Sequence, residues 1–215
     1  MKTNSLLTLL LLSLFATSIN AQENPELDLF TAANAGDDIS IESIIYNGID
    51  PNIADQYGNT PMYYAAKNNH AIAIIALTKM GGNVNVINNS ENTPLIIAAS
   101  QGQTEAVKVL LSKGAYTDFE TTNGLTAVHI ASLKGHYDTL SALLSYYADP
   151  NVMSKTGVTP LMLATSKGHT EIVKLLLDHT AEDKSNEHGE TALSWAKSSG
   201  YDKIVSLIEN KSAGL

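Results

Sequence analysis

Ala32, Ala65, Ala98, Ala131 and Ala164 lie 33 residues apart, and Ala196 follows after 32. Two further columns keep the same ruler: Leu29, Met62, Leu95, Val128, Leu161 and Leu193, then Ile44, Leu77, Leu110, Leu143, Leu176 and Ile208. An irregular globular core has no reason to hold three small or apolar columns in constant register. Stacked supersecondary units that each bury one face on the next do require it, so the chain is expected to be a solenoid.

The second unit shows what repeats. Thr60-Pro61 follows the turn segment Asp55 to Asn59. Threonine caps a helix N-terminus well, and proline is tolerated at the first helical position because its missing N–H has no partner there. Met62, Ala65 and Ala66 then fall on one helical face, and Asn68-Asn69 interrupts. A second helical run, Ile72 to Leu77, ends at Gly81-Gly82, where glycine suits a left-handed cap. Each unit therefore reads as a short helix, a tight turn, a second helix and an extended loop.

Thr93-Pro94-Leu95, Thr126-Ala127-Val128-His129 and Thr159-Pro160-Leu161, with Gly135-His136 and Gly168-His169, resemble the signature of ankyrin repeats. The resemblance covers about residues 24–211. It implies an all-α ankyrin-repeat solenoid of about six helix-turn-helix units with hairpin loops, spanning about 24–54, 55–87, 88–120, 121–153, 154–185 and 186–215. The first unit lacks the Thr-Pro start, as a terminal cap should. The last carries Glu209 where internal units carry Leu111, Leu144 and Leu177, which suits a solvated end face. Trp195 shares a column with Tyr64, Ile97, Ile130 and Leu163 and reads as packing. The helix-ending glycine column runs Gly48, Gly81, Gly114, Tyr147, Thr180, and the missing residue falls between Thr180 and Asn186. The fifth loop is thus expected to depart from the regular hairpin.

The N-terminus reads as an export signal. Lys2 precedes an apolar stretch from Leu6 to Phe15 that is too short to span a bilayer. Ala21 is the expected end of a cleaved segment 1–21, with Ala16 or Ser18 as alternatives and an uncleaved anchor as the competing reading. The repeat domain would then be 22–215, periplasmic or extracellular, without stable membrane insertion. Cysteine and arginine are absent, which excludes disulfides, thiolate metal sites and the guanidinium fork that grips phosphate. Processing would remove one lysine and no acid, taking the net charge from −9 to −10. Nucleic acid and anionic lipid are repelled by such a chain. A monomer is expected.

Little here could carry chemistry, and no enzyme is expected. His70, His136 and His169 share one repeat position, and His129 occupies a signature position where the resemblance implies an imidazole tying neighbouring loops together. Ser194 and Lys197 have the Ser-x-x-Lys spacing of a serine acylase, but Ser194 is also the sixth occupant of the column of Tyr63, Ile96, His129 and Met162. A metal-dependent alternative would need His179, His188 and nearby carboxylates to converge at the irregular loop. No cofactor, metal or catalytic residue is assigned. The sequons at Asn88 and Asn210 matter only in a eukaryotic host.

What register does not explain is a contact surface. The resemblance implies that a protein partner meets the hairpin tips and the exposed side of the first helices. Most residues there are polar; the apolar exceptions are Tyr57, Ile87, Leu125, Leu133, Met153 and Val158. They form the expected protein-binding set, with Tyr57 and Leu125 as anchors. Three roles fit: inhibition or neutralisation of a toxin-like partner, protection of one enzyme, or a host-directed effector.

Overall fold

A computed structural model describes residues 25–214. The expected leader lies outside the described residues. Twelve helices and no strand occur among those described. They fall in pairs: α1 (Pro25–Ala35) and α2 (Asp38–Tyr46), α3 (Pro61–Lys67) and α4 (Ala71–Lys79), α5 (Pro94–Gln101) and α6 (Thr104–Ser112), α7 (Ala127–Lys134) and α8 (Tyr137–Ser145), α9 (Pro160–Ser166) and α10 (Thr170–Asp178), α11 (Ala192–Ser199) and α12 (Asp202–Ser212).

The helix starts follow from their caps. Hydroxyls of Thr60, Thr93, Thr159 and Thr191 accept the amide three residues on, at 3.4, 3.2, 3.2 and 3.1 Å. Pro61, Pro94 and Pro160 open α3, α5 and α9. First helices pack on the first helices of adjacent units and second helices on second helices, giving two layers with the core between them. The repeating columns fill that core: Leu29, Met62, Leu95, Val128 and Leu161 are buried, as are Leu77, Leu110, Leu143, Leu176 and Ile208. Ile44 is half-buried, because among the described residues no unit stacks on that side of α2.

The far end is closed with charge. Lys197 and Glu209 stand in columns where the third to fifth units carry buried residues, and they pair with each other at 2.8 Å. That pairing is the polar finish a terminal unit needs for solubility.

The helix-ending column keeps its left-handed backbone even where glycine is lost: φ is +63° at Tyr147 and +68° at Thr180, against +87° to +102° at Gly114, Gly81 and Gly48. The fifth loop is indeed irregular. The other four outer loops each turn again shortly after that residue, at 51–52, 84–85, 117–118 and 150–151, whereas residues 181–186 do not. Instead Lys184 N–H donates to the Glu182 carbonyl at 3.0 Å, and the Asp183 carboxylate accepts the Leu193 amide at 3.3 Å. A left-handed residue with a Cβ costs ~1–2 kcal/mol, partly offset by the entropy that glycine would lose. Thr180→Gly is therefore expected to raise stability by about 0.5–1 kcal/mol, measured by urea unfolding. An unchanged or lower midpoint would show that the strain is absorbed elsewhere.

Candidate binding surface of the repeat array

Each tip is built by one side chain turned inward. Asp55 Oδ1 accepts the amides of Tyr57 and Asn59 at 2.8 and 2.9 Å, and Asn88, Ser154 and Asn186 do the same for their own tips. Burial pushes the Asp55 carboxyl up, but hydrogen bonds from the Tyr64 hydroxyl, at 2.7 Å, and from Asn59 and Tyr57 outweigh it and hold its pKa below the ordinary value. Neighbouring tips are joined through the backbone: Asn89 N–H to Tyr57 O at 3.0 Å, Lys155 N–H to Asn123 O at 3.1 Å, Glu187 N–H to Thr156 O at 3.3 Å. Between the third and fourth tips the Glu91 carboxylate takes over, accepting from the amide and hydroxyl of Thr122. Those bonds hold the Glu91 carboxyl below the ordinary range.

Glu91 by residue type alone is not marked as special. It stands where the other tips carry Gly58, Gly124, Gly157 and Gly189, and its φ of +57° is left-handed like theirs. Extending the 33-residue ruler to that tip column would have singled it out.

The six candidate residues do not form one patch. Tyr57, Ile87 and Met153 are exposed, while Leu125, Leu133 and Val158 are half-buried. Tyr57 has Ser90, Asn123, Thr156 and His188 as the residues of its column. Ile87 and Met153 share a column but are two units apart, with Glu120 between them. Leu125 and Val158 are neighbours in one column, and Val158 also packs against the core. An anchor pair on units four and five is therefore the compact part of the set. Most exposed large apolar side chains lie elsewhere: Ile39, Tyr46, Ile72, Ile75, Tyr137 and Tyr146 are on or at the ends of second helices, a distribution the tip-centred reading missed.

Most of the reactive side chains are occupied by the scaffold; His188 is exposed. Nε2 of His70, His136 and His169 lies 3.0–3.2 Å from the carbonyls of Asn34, Ser100 and Leu133 in the preceding unit. Gln103 fills the same place by donating to Lys67 O at 2.9 Å. The rings lie so close over Gly36, Gly102 and Gly135 that a Cβ there would come within 3 Å of them. His129 is fully buried; its Nδ1 accepts the Thr126 amide at 3.2 Å, and its Nε2 donates to Val158 O in the next unit at 3.0 Å. The loop-tying role implied for it is the one it performs.

Ser194 exchanges hydrogen bonds with Thr191, at 2.8 and 2.9 Å, and Lys197 is held by Glu209, so no activated serine results. His179, the residue that caps the C-terminus of α10, bonds back to Leu175 O. Among the described residues no group of three His, Asp or Glu side chains is placed to hold a metal ion. Trp195 is half-buried against the core, as its column implies. Asn88 is buried, with its amide nitrogen donating to Asn59 Oδ1 at 2.7 Å, which leaves that sequon inaccessible in the folded chain.

The profile of the ankyrin-repeat family, in a form spanning three copies, matches residues 29–121, 74–154 and 129–214. The chain belongs to the ankyrin repeat family, whose repeats serve in general as protein–protein interaction modules. The crystal structure of EF0377, an ankyrin repeat protein, is similar at 29% sequence identity with a TM-score of 0.77, covering 85% of this chain and 96% of that one. No curated protein matches the chain. No described helix is long and apolar enough to cross a membrane.

Proposed function

We propose that this protein is an exported, non-enzymatic binding module that holds or masks one protein partner with its tips and first-helix face. The observation that carries the reading is the commitment of its chemistry to the stack. His129, the three histidines that share one repeat position, and the one serine–lysine pair with catalytic spacing are all engaged in contacts between or within units. What stays free is surface. Leu125 and Val158, at equivalent positions of the tips of the fourth and fifth units, with Leu133 on the first helix of the fourth, supply apolar anchors in an otherwise polar setting. Inhibition of a toxin-like partner, protection of one enzyme, or engagement of a host protein would each use such a surface. The acidic balance favours a basic partner in all three.

Recovery from the native cell followed by mass spectrometry identifies both the partner and the mature N-terminus, expected at Gln22. Leu125→Asp with Leu133→Asp is then expected to weaken that complex at least tenfold, which corresponds to about 1.4 kcal/mol. Unchanged affinity in variants with the wild-type melting profile would rule out this face, and an intact residue 1 in the protein recovered would rule out processing.

A further inference from the structure

The outer loops carry a clasp that is missing at one junction. Asn52, Asn85 and Asn151 occupy one repeat column, and each bonds twice to the following unit. Their Nδ2 groups donate to the carbonyls of Gly81, Gly114 and Thr180, each at 3.1 Å. Their Oδ1 atoms accept the amides of Asn83, Tyr116 and Glu182 at 2.7, 3.0 and 2.8 Å. Two residues earlier, Asp50, Asn83 and Asp149 each accept the amide of the clasp residue at 2.8–2.9 Å. That bond sets the turn from which the asparagine reaches across.

In unit three both positions change, to Tyr116 and Asp118. A carboxamide donates and accepts, whereas an ionised carboxylate only accepts. By register Asp118 would meet the Tyr147 carbonyl, to which it has no proton to give, and Tyr116 makes no side-chain bond that fixes the turn. Asp118 is exposed where the three asparagines are half-buried, and it joins no hydrogen bond or ion pair among the described residues. The fifth loop also lacks the clasp, but there the Asp183 carboxylate ties the loop to α11 through the Leu193 amide. Units three and four are held together elsewhere. Their helices pack, the Thr104 and Thr139 hydroxyls meet at 2.9 Å, and His136 Nε2 donates to Ser100 O at 3.2 Å. At the tips the Glu91 carboxylate stands in for the backbone bond that joins the other pairs. The outer edge of this junction is untied.

We infer that the array is two stiff blocks, units one to three and units four to six, hinged at this junction. The outer loops part and close there while the helices stay packed as the pivot. Each unit of a linear array touches only its neighbours, so bonds lost at one junction are not made good at another. A few loop residues are enough to absorb a hinge motion, and Tyr116 to Asp118 are the ones released. The candidate partner surface straddles the hinge, with Tyr57 and Ile87 on one block and Leu125, Leu133, Met153 and Val158 on the other. The hinge angle therefore sets how the two groups face a partner, and a partner that grips both blocks fixes it. That consequence rests on the binding role proposed above; the hinge itself does not.

The test uses the free repeat array. It has no cysteine, so introduced thiols are the only sites for nitroxide spin labels. Tyr46, Ser112 and Asp178 end α2, α6 and α10, are exposed and share one column. The pairs Tyr46→Cys with Ser112→Cys and Ser112→Cys with Asp178→Cys each span two junctions, about 16–20 Å at the spacing of packed helices. The second pair alone crosses the hinge. Pulsed electron resonance should give it the wider distance distribution. Asp118→Asn, which supplies the residue that three other units carry, should narrow the second distribution to the width of the first and leave the first as it was. Asn85→Asp should widen the first. Every variant should keep the circular dichroism of the wild type, since each change lies on an exposed or half-buried position outside the core. Equal widths for the two pairs in the otherwise wild-type chain would overturn the hinge. A wide second distribution that Asp118→Asn does not narrow would overturn its assignment to the missing clasp. No partner enters these measurements, so the hinge and the binding role fail separately.

Discussion

Leu110→Ala should lower the free energy of unfolding by about 3–4 kcal/mol, while Ile44→Ala in the same repeat column should cost ~1 kcal/mol. Both substitutions remove three side-chain carbons from equivalent points on a second helix. Leu110 is fully buried in α6, which packs on α4 before it and α8 after it, so truncation leaves a hole walled on both sides. Ile44 is half-buried in α2, which has a neighbouring second helix on one side. Part of its side chain already meets water, and the space left is open to solvent. In a linear array, stability is a sum of unit and interface terms, so the central hole also weakens the coupling between the halves of the stack. Urea unfolding followed by far-ultraviolet circular dichroism should show a lower midpoint and a shallower transition for Leu110→Ala, and a small parallel shift for Ile44→Ala. Equal losses would mean that the end unit is covered by something other than solvent.

The contrast between Leu110 and Ile44 also marks how far sequence alone reaches. Period and residue type place both in one column, and that is enough to specify helix pairs, caps and core. Local chemistry is repeated in every unit, so each copy corroborates the others. Tyr147 and Thr180 were legible as left-handed residues because they interrupt a glycine column, and the structure gives them that backbone. Position along the stack is a different kind of information. Nothing in the residue Ile44 says that it packs against a second helix on one side alone; that follows from α2 being the first of the described second helices. The candidate surface was harder to read for the same reason. Leu133 and Val158 look like free apolar residues in register but are half-buried, since tips and first helices lean on the next unit. Ile39 and Ile72 escaped notice because isoleucine within a helix reads as core until the column is followed on to Glu105, Asp138 and Glu171. Ser132 and Thr165 are a further case: consecutive occupants of an alanine column, fully buried with hydroxyls that find no partner.

Acidification should weaken the fold between neutral pH and pH 5, with His129 as the source. Burial pushes its pKa down, opposed in part by the hydrogen bond to Val158 O. The neutral ring fits its site because Nδ1 accepts the Thr126 amide while Nε2 donates to Val158. A proton added at Nδ1 would face that N–H and would charge a group with no exposure to water. In the unfolded chain the same imidazole titrates near its ordinary value of 6.5. Above that value both states are neutral, and the stability due to the site is complete. Below it the unfolded state takes up the proton first, so stability falls with pH until the folded pKa is reached, by up to about 1.4 kcal/mol per pH unit. Asp55 acts in a separate, lower window. Its carboxyl is depressed below 3.8, so its contribution is lost as pH falls from that value through the folded pKa. Met162 occupies the His129 column in the fifth unit without difficulty, which makes His129→Met the natural probe. At pH 8 the variant should be less stable than the wild type by about 1–2 kcal/mol, from the lost bond to Val158 O and an unpaired Thr126 amide. At pH 5 that gap should close or reverse, since the variant has no proton to resist. Melting curves of the two chains between pH 8 and 5 decide it. Parallel pH profiles would assign the acid sensitivity to other groups and leave the buried imidazole as a pH-indifferent tie between the fourth and fifth units.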